Sequence, residues 1–170
     1  MKPVERFIKK NLDIVHGRKA LNKQLPAQYH RKTTDWDLFG RNPKKEAFKL
    51  QAYLDKQAGS DRFYDNAVPL TGSKKVVYRV IDRVTGEEVA DFMSVPKAKK
   101  VYTTIDGIRY ERLQRAKLAY KKILADPKYK HRWAKAKFDL HTIEQYEKDL
   151  KAGVPIEQAK KRLNSLLINN

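Results

Sequence analysis

The sequence predicts an α+β fold: a mixed sheet with flanking helices to about residue 110, then a basic helical C-terminal portion over 111–170. Three observations predict it. Two-residue alternation marks strands in TDWDLF (Thr34–Phe39) and in a hairpin spanning Val76–Val95. Apolar residues at helical spacing, bracketed by cap residues, mark a helix between Asn42 and Gly59. From Glu111 onward the chain reads as helices alone.

Taken in order, Val4–Lys10 reads as a short helix with Phe7 and Ile8 on its apolar side. Leu12, Ile14 and Val15 form a brief β-prone run that stops at His16-Gly17. Arg18–Leu25 has helix-forming composition and Pro26 ends it, with a polar, basic loop over Tyr29–Thr33. In Thr34–Phe39, Asp35 and Asp37 fall on one face and Trp36 and Leu38 on the other. Asn42 is a suitable N-cap, Pro43 suits the first helical position, and Gly59 suits the stop. Arg62–Ala67 reads as a strand, and the hairpin of Val76–Arg83 and Glu88–Val95 turns at Thr85-Gly86. Asp106-Gly107 is a tight-turn signal between two short strands in Tyr102–Tyr110. The later helices break near Asp126-Pro127 and Gly153-Val154-Pro155. With no repeat, low-complexity segment or long linker, the expectation is one compact unit: a core over 1–110 with 111–170 packed on it.

Composition narrows the function classes. The 170 residues suffice for a real hydrophobic core, and no apolar run approaches the roughly 20 residues that span a bilayer. The start, MKPVERFIKKN, lacks the pattern of a signal peptide, and the absence of cysteine excludes disulfides and thiolate chemistry. Both features fit a cytoplasmic protein. A net charge of +18 favours polyanionic partners, nucleic acid first. The charge is uneven. Residues 1–50 hold 13 Lys/Arg against 5 Asp/Glu, and residues 111–170 hold 15 against 7, whereas 51–110 is nearly balanced at 10 against 8. A solvated, soluble surface would have the same composition.

Two aspartates on one strand face repel unless a cation holds them, and a hard divalent ion takes carboxylate and phosphate oxygens together. A third carboxylate completes such a site. The candidate is Asp91, flanked by Ala90 and Phe92 in an otherwise apolar run. Each residue has a plainer role open to it: Asp35 and Asp37 as the solvated face of an edge strand, Asp91 as the ion-pair partner of Arg79 or Arg83. The four histidines lack paired metal-ligand spacing, and Ser60, Ser73, Ser94 and Ser165 lack a nucleophile-elbow context. YKKILADPKYKHRW (Tyr120–Trp133) interleaves aromatics with basic residues, a pattern that suits single-stranded nucleic acid and equally suits helix packing. Lys128, Lys130, Arg132 and Trp133 are its candidate contacts.

In IVHGRKALN (Ile14–Asn22), RKTTDWDLF (Arg31–Phe39) and EVADFMSV (Glu88–Val95), the chain resembles the nucleotidyltransferases of the DNA polymerase beta superfamily. The likeness is nearest to small bacterial and viral members related to abortive-infection toxins. TIDGIRYERL (Thr104–Leu113) and RWAKAKFDL (Arg132–Leu140) resemble the family's later turn and basic-acidic helix, so the motifs run in order over most of residues 12–140. The resemblance implies that Asp35, Asp37 and Asp91 bind Mg²⁺ or Mn²⁺, with Asp91 helping to deprotonate an acceptor hydroxyl. It also implies that Gly17, Arg18, Arg31 and Thr34 serve a nucleoside triphosphate. Where the family has Gly-Ser or Gly-Gly, this chain has Gly17-Arg18; the guanidinium fork suits phosphate oxygens, and the change equally suits a degraded phosphate site.

Two functions follow as expectations. One is Mg²⁺-dependent transfer of a nucleoside monophosphate to a hydroxyl of RNA, tRNA-like RNA above all, or of a protein. The other is a non-catalytic protein of the same fold that binds nucleic acid or serves as a virion-associated structural component.

Overall fold

A computed structural model describes residues 2–71, 75–97 and 101–153. Ser73, Ser165 and the break at Val154-Pro155 lie outside the described residues, as does any helix beyond it. The chain divides into two compact units, Met1–Lys19 with Thr33–Arg112, and Ala20–Lys32 with Leu113–Asn170. Residues 20–32 therefore group with the C-terminal helices, which a division at residue 110 does not foresee.

The first unit is built on a seven-stranded mixed sheet. Its strands are β1 (Ile14–His16), β2 (Trp36–Gly40), β3 (Phe63–Pro69), β4 (Val76–Asp82), β5 (Glu88–Ser94), β6 (Tyr102–Ile105) and β7 (Ile108–Glu111), ordered β3-β4-β5-β2-β1-β7-β6. β2 runs parallel to β5 and β1 parallel to β7; the other neighbours are antiparallel. Helix α1 (Pro3–Asn11) precedes β1, and α2 (Gly17–Gln24) leaves β1 with no intervening loop. Helix α3 (Pro43–Ala58) has the expected ends: the Asn42 side chain accepts from the Lys45 N–H at 3.2 Å, and Gly59 closes it at φ +66°. The turn between β6 and β7 has positive φ at both Asp106 (53°) and Gly107 (78°), the primed geometry that matches strand twist.

Alternation gives the sheet two different faces. Val15, Leu38, Val80, Ala90 and Phe92 are fully buried, and α3 packs across β2, β3, β4 and β5 with Ala47, Leu50 and Leu54 buried. On the other face a smaller cluster of Ile14, Phe39 and Val101 gives way, toward the start of β2, to half-buried charged residues.

The second unit has its own core. Leu21, Leu25 and Tyr29 pack with Ala116 of α4 (Leu113–Ala125) and Ile143 of α5 (Trp133–Lys151). The Tyr29 hydroxyl donates to Asp149 at 2.6 Å, which also accepts from Gln145 at 2.8 Å. This packing is why Ala20–Lys32 joins the later helices: burying its apolar side chains there outweighs its position in sequence. Between α4 and α5 a 3-10 segment (Pro127–Arg132) begins at Asp126, whose carboxylate accepts from the Lys128 N–H at 3.2 Å. No described helix is long and apolar enough to cross a membrane.

Candidate active site

Parallel pairing of β2 and β5 aligns Asp37 with Asp91, so both side chains leave the same face. Asp35 lies in a bend one residue before β2 rather than in the strand, where its Oδ1 accepts from the Thr33 hydroxyl at 2.7 Å. Across β1, His16 is opposite Asp37, and its ring stacks on Phe39 with centroids 3.8 Å apart and planes at 9°.

Gly17 is doubly constrained. Its φ of +64° is one that side-chain-bearing residues adopt at a cost, and a Cβ there would lie 2.2 Å from Asp37 Oδ2. The Asp37 carboxylate therefore rests against the backbone where α2 begins, the end of a helix that favours anions.

Arg79 and a fourth carboxylate join this face, and a second cation, Lys19, lies near the start of β2. Arg79 of β4 pairs with Asp91 in register and binds it through both oxygens, Nε to Oδ1 at 2.8 Å and Nη2 to Oδ2 at 2.9 Å. Arg79 also forms an ion pair with Glu88. Strict alternation places Glu88 on the face opposite Asp91. A register shift in the β4–β5 pairing, between Val80 and Ile81, breaks that alternation and brings Glu88 to the same guanidinium. Burial raises the Glu88 pKa against the pull of Arg79, and Asp91 and Asp35 push the same way. The hydrogen bond to Asp91 raises that of Arg79, aided by the charges of Asp91, Glu88 and Asp35. Lys19, in the first turns of α2, donates to the Thr33 carbonyl at 3.2 Å and lies 4.7 Å from the centre of the Trp36 ring. Burial lowers its pKa despite the opposing fields of Asp35 and Asp37. Sequence reasoning misses Glu88 and Lys19 altogether, and it finds Arg79 only as a plain ion-pair partner for Asp91. The signal that could have found Lys19 is a basic residue close to the acidic motifs.

The donors fit a hard divalent cation in kind: carboxylates from β2, its leading bend and β5, with Gly17 leaving room for Asp37. In position the set is incomplete. Among the described residues no three His, Cys, Asp or Glu groups converge as a metal cage, and both Asp91 oxygens accept from Arg79.

The other expected contacts are dispersed. The Arg18 side chain is 1% exposed, the largest fully buried side chain described, so its fork is enclosed rather than open to a triphosphate. Thr34 is exposed beside Asp35. Arg31 belongs to the second unit, where its guanidinium lies 5.1 Å from the Phe138 ring centre. Also in that unit, Lys128 and Lys130 are exposed and Arg132 half-buried; Lys128 pairs with Asp126 at 2.7 Å. The half-buried Trp133 ring donates its indole N–H to the Ile123 carbonyl at 3.0 Å, so it closes the end of α4.

No protein-family model matches the chain, and no curated protein matches it in sequence. Among solved structures it is similar to the Megavirus polyadenylate synthase, with a TM-score of 0.66 and 19% identity, over 85% of this chain and 30% of that one. A second similarity, to JHP933 from Helicobacter pylori, has a TM-score of 0.46 and 17% identity over 81% of this chain and 61% of that one. The chain spans less than a third of the viral synthase and shares the fold of that part; its own fold is nucleotidyltransferase-like α+β, with a seven-stranded mixed sheet.

Proposed function

We propose that the chain is a metal-dependent nucleotidyltransferase that moves a nucleoside monophosphate from a nucleoside triphosphate to a hydroxyl of RNA. The observation that carries this reading is the alignment of Asp37 with Asp91 on one sheet face, with Gly17 open to the Asp37 carboxylate. Asp35 and Asp37 would hold Mg²⁺ or Mn²⁺, with Asp91 completing the set. The ion supplies charge compensation to the triphosphate and to the departing pyrophosphate. The N-terminus of α2 favours an anion, and in the free protein the Asp37 carboxylate lies against Gly17 there, so a phosphate would share that end of the helix with Asp37. The acceptor hydroxyl oxygen forms a bond to the α-phosphorus, the bond from that phosphorus to the bridging oxygen breaks, and pyrophosphate leaves. Asp91 takes the hydroxyl proton on a carboxylate oxygen. RNA is the preferred acceptor because a net charge of +18 attracts polyanions and a small acceptor has no need of it. Kinship with the abortive-infection-toxin-related members rests on the sequence motifs alone.

The Arg79–Asp91 ion pair favours a second reading, a non-catalytic protein of this fold that binds nucleic acid through its basic surface. Exposure argues against that pair being a permanent lock. The two side chains are 25% and 19% exposed, so water reaches the pair and can take over its hydrogen bonds when it opens. Incubation with each labelled triphosphate, Mg²⁺ and total RNA tests the first reading. Label should pass to RNA, and its absence with every triphosphate leaves the second reading standing.

A further inference from the structure

Arg79 binds a member of the proposed metal set through both of its oxygens. It is held from three sides: Asp91 across the strand pair, Glu88 brought over by the register shift, and the field of Asp35. Asp91 and Glu88 both pair with Arg79, and Asp37 lies beside Asp91 in register, a local excess of negative charge within a strongly basic chain. Among the described residues no three carboxylates converge in this arrangement, with Arg79 seated on one of them. Each Asp91 oxygen keeps a second lone pair, but a guanidinium seated on both sets its positive charge against any metal that approaches the same carboxylate.

We propose that Arg79 is an internal counterion, a positioning residue that occupies Asp91 in the free protein and yields it when a divalent cation and a nucleoside triphosphate enter together. This rests on the nucleotidyltransferase reading, since it concerns the same carboxylates. The triphosphate supplies what Arg79 loses, because phosphate oxygens match the guanidinium fork as a carboxylate does. Metal alone must displace Arg79 without offering it a new partner. The free protein thus binds metal weakly, and nucleotide and metal bind with positive coupling, each raising the affinity for the other. The site takes metal tightly only with its substrate present.

Binding of Mn²⁺, followed by the loss of free-ion signal in electron paramagnetic resonance, tests this without catalysis. Arg79→Gln keeps bulk and hydrogen-bonding capacity but removes the charge. It should tighten Mn²⁺ binding to the nucleotide-free protein by about tenfold or more, given the like-charge repulsion it relieves at short range. Asp91→Asn in the wild-type background should change that affinity little, and in the Arg79→Gln background should abolish the gain. A non-hydrolysable triphosphate should tighten Mn²⁺ binding more in the wild type than in Arg79→Gln. If Arg79→Gln unfolds, Arg79→Lys, which keeps the charge and loses the fork, should give a smaller gain of the same sign. Equal Mn²⁺ affinity in wild type and a folded Arg79 variant overturns the counterion role and leaves the nucleotidyltransferase reading intact. No Mn²⁺ binding by any of these proteins, with or without triphosphate, overturns both.

Discussion

The Asp37 carboxylate lies against Gly17 so closely that a methyl group there would come within 2.2 Å of Oδ2. Strand β1 ends, helix α2 begins and a carboxylate of β2 closes in, all at one residue. The φ of +64° there adds a second reason for glycine. Gly17→Ala should therefore destabilise the fold by about 1–3 kcal/mol through backbone strain, with more from displacing Asp37. Urea denaturation measures the first effect. Mn²⁺ affinity in the presence of a triphosphate should fall as well, and an unchanged value would mean that Asp37 is not a ligand.

Asp35→Asn and Asp37→Asn separate chemistry from structure. Each removes one charge while keeping the shape of the side chain, on a half-buried face away from the main core. Thermal unfolding should shift little. Label transfer should drop by about a hundredfold or more, the scale of losing one contact that stabilises transition-state charge. Full transfer in both variants would place any chemistry elsewhere.

Much of this was legible in the sequence, and the misses have physical causes. The caps of α3 and the Asp106-Gly107 turn are set by local backbone chemistry, so Asn42, Gly59 and Gly107 announced them. The alignment of Asp37 with Asp91 agrees with their placement in alternating strands. Glu88 was hidden because a register shift breaks the alternation by which faces are read. Asp35 reads as a strand residue because alternation begins before hydrogen bonding does; its carboxylate is oriented by Thr33 instead. Burial of Arg18 and the allegiance of residues 20–32 depend on tertiary packing, which composition does not encode.

A buried carboxylate at the other end of β1 should make stability depend on pH. Asp13 is 3% exposed, and its pKa is pushed up to about 7 by burial first and by the Glu46 charge second, with Lys49 opposing. The folded protein thus holds a proton that the unfolded chain, with its ordinary value of 3.8, releases earlier. This stabilisation is fully present below about pH 4 and is lost as pH rises through about 7. Asp82, held down to about 2 chiefly by its hydrogen bond to Arg62, acts below that window and with the opposite sign. Asp13→Asn should leave the melting temperature nearly unchanged at pH 4 and raise it relative to wild type at pH 8. A constant difference between the two proteins across that range would show that Asp13 is not protonated in the fold.

The basic segment between α4 and α5 makes a prediction shared by both functional readings. Lys128 and Lys130 are exposed and Arg132 is half-buried, so phosphate contacts are available to them in varying degree. Each phosphate contact on a single strand contributes about 0.7 to the slope of log affinity against log salt, through release of condensed counterions. Replacing the three residues with alanine should weaken RNA binding regardless of sequence and flatten the slope by up to about 2. Lys128 should contribute least, because its ammonium already pairs with Asp126. Trp133 should behave differently. Its indole N–H is committed to the Ile123 carbonyl, so Trp133→Phe should cost about 1 kcal/mol of stability for the lost hydrogen bond. Single-strand affinity should hold in that variant once the fraction folded is taken into account. Titrations of a labelled oligonucleotide at several salt concentrations, with parallel melts, separate the two effects. A Trp133→Phe protein of normal stability but weakened binding would assign the ring to base stacking, and a slope unmoved by the triple substitution would assign the segment's charge to solubility or to a protein partner.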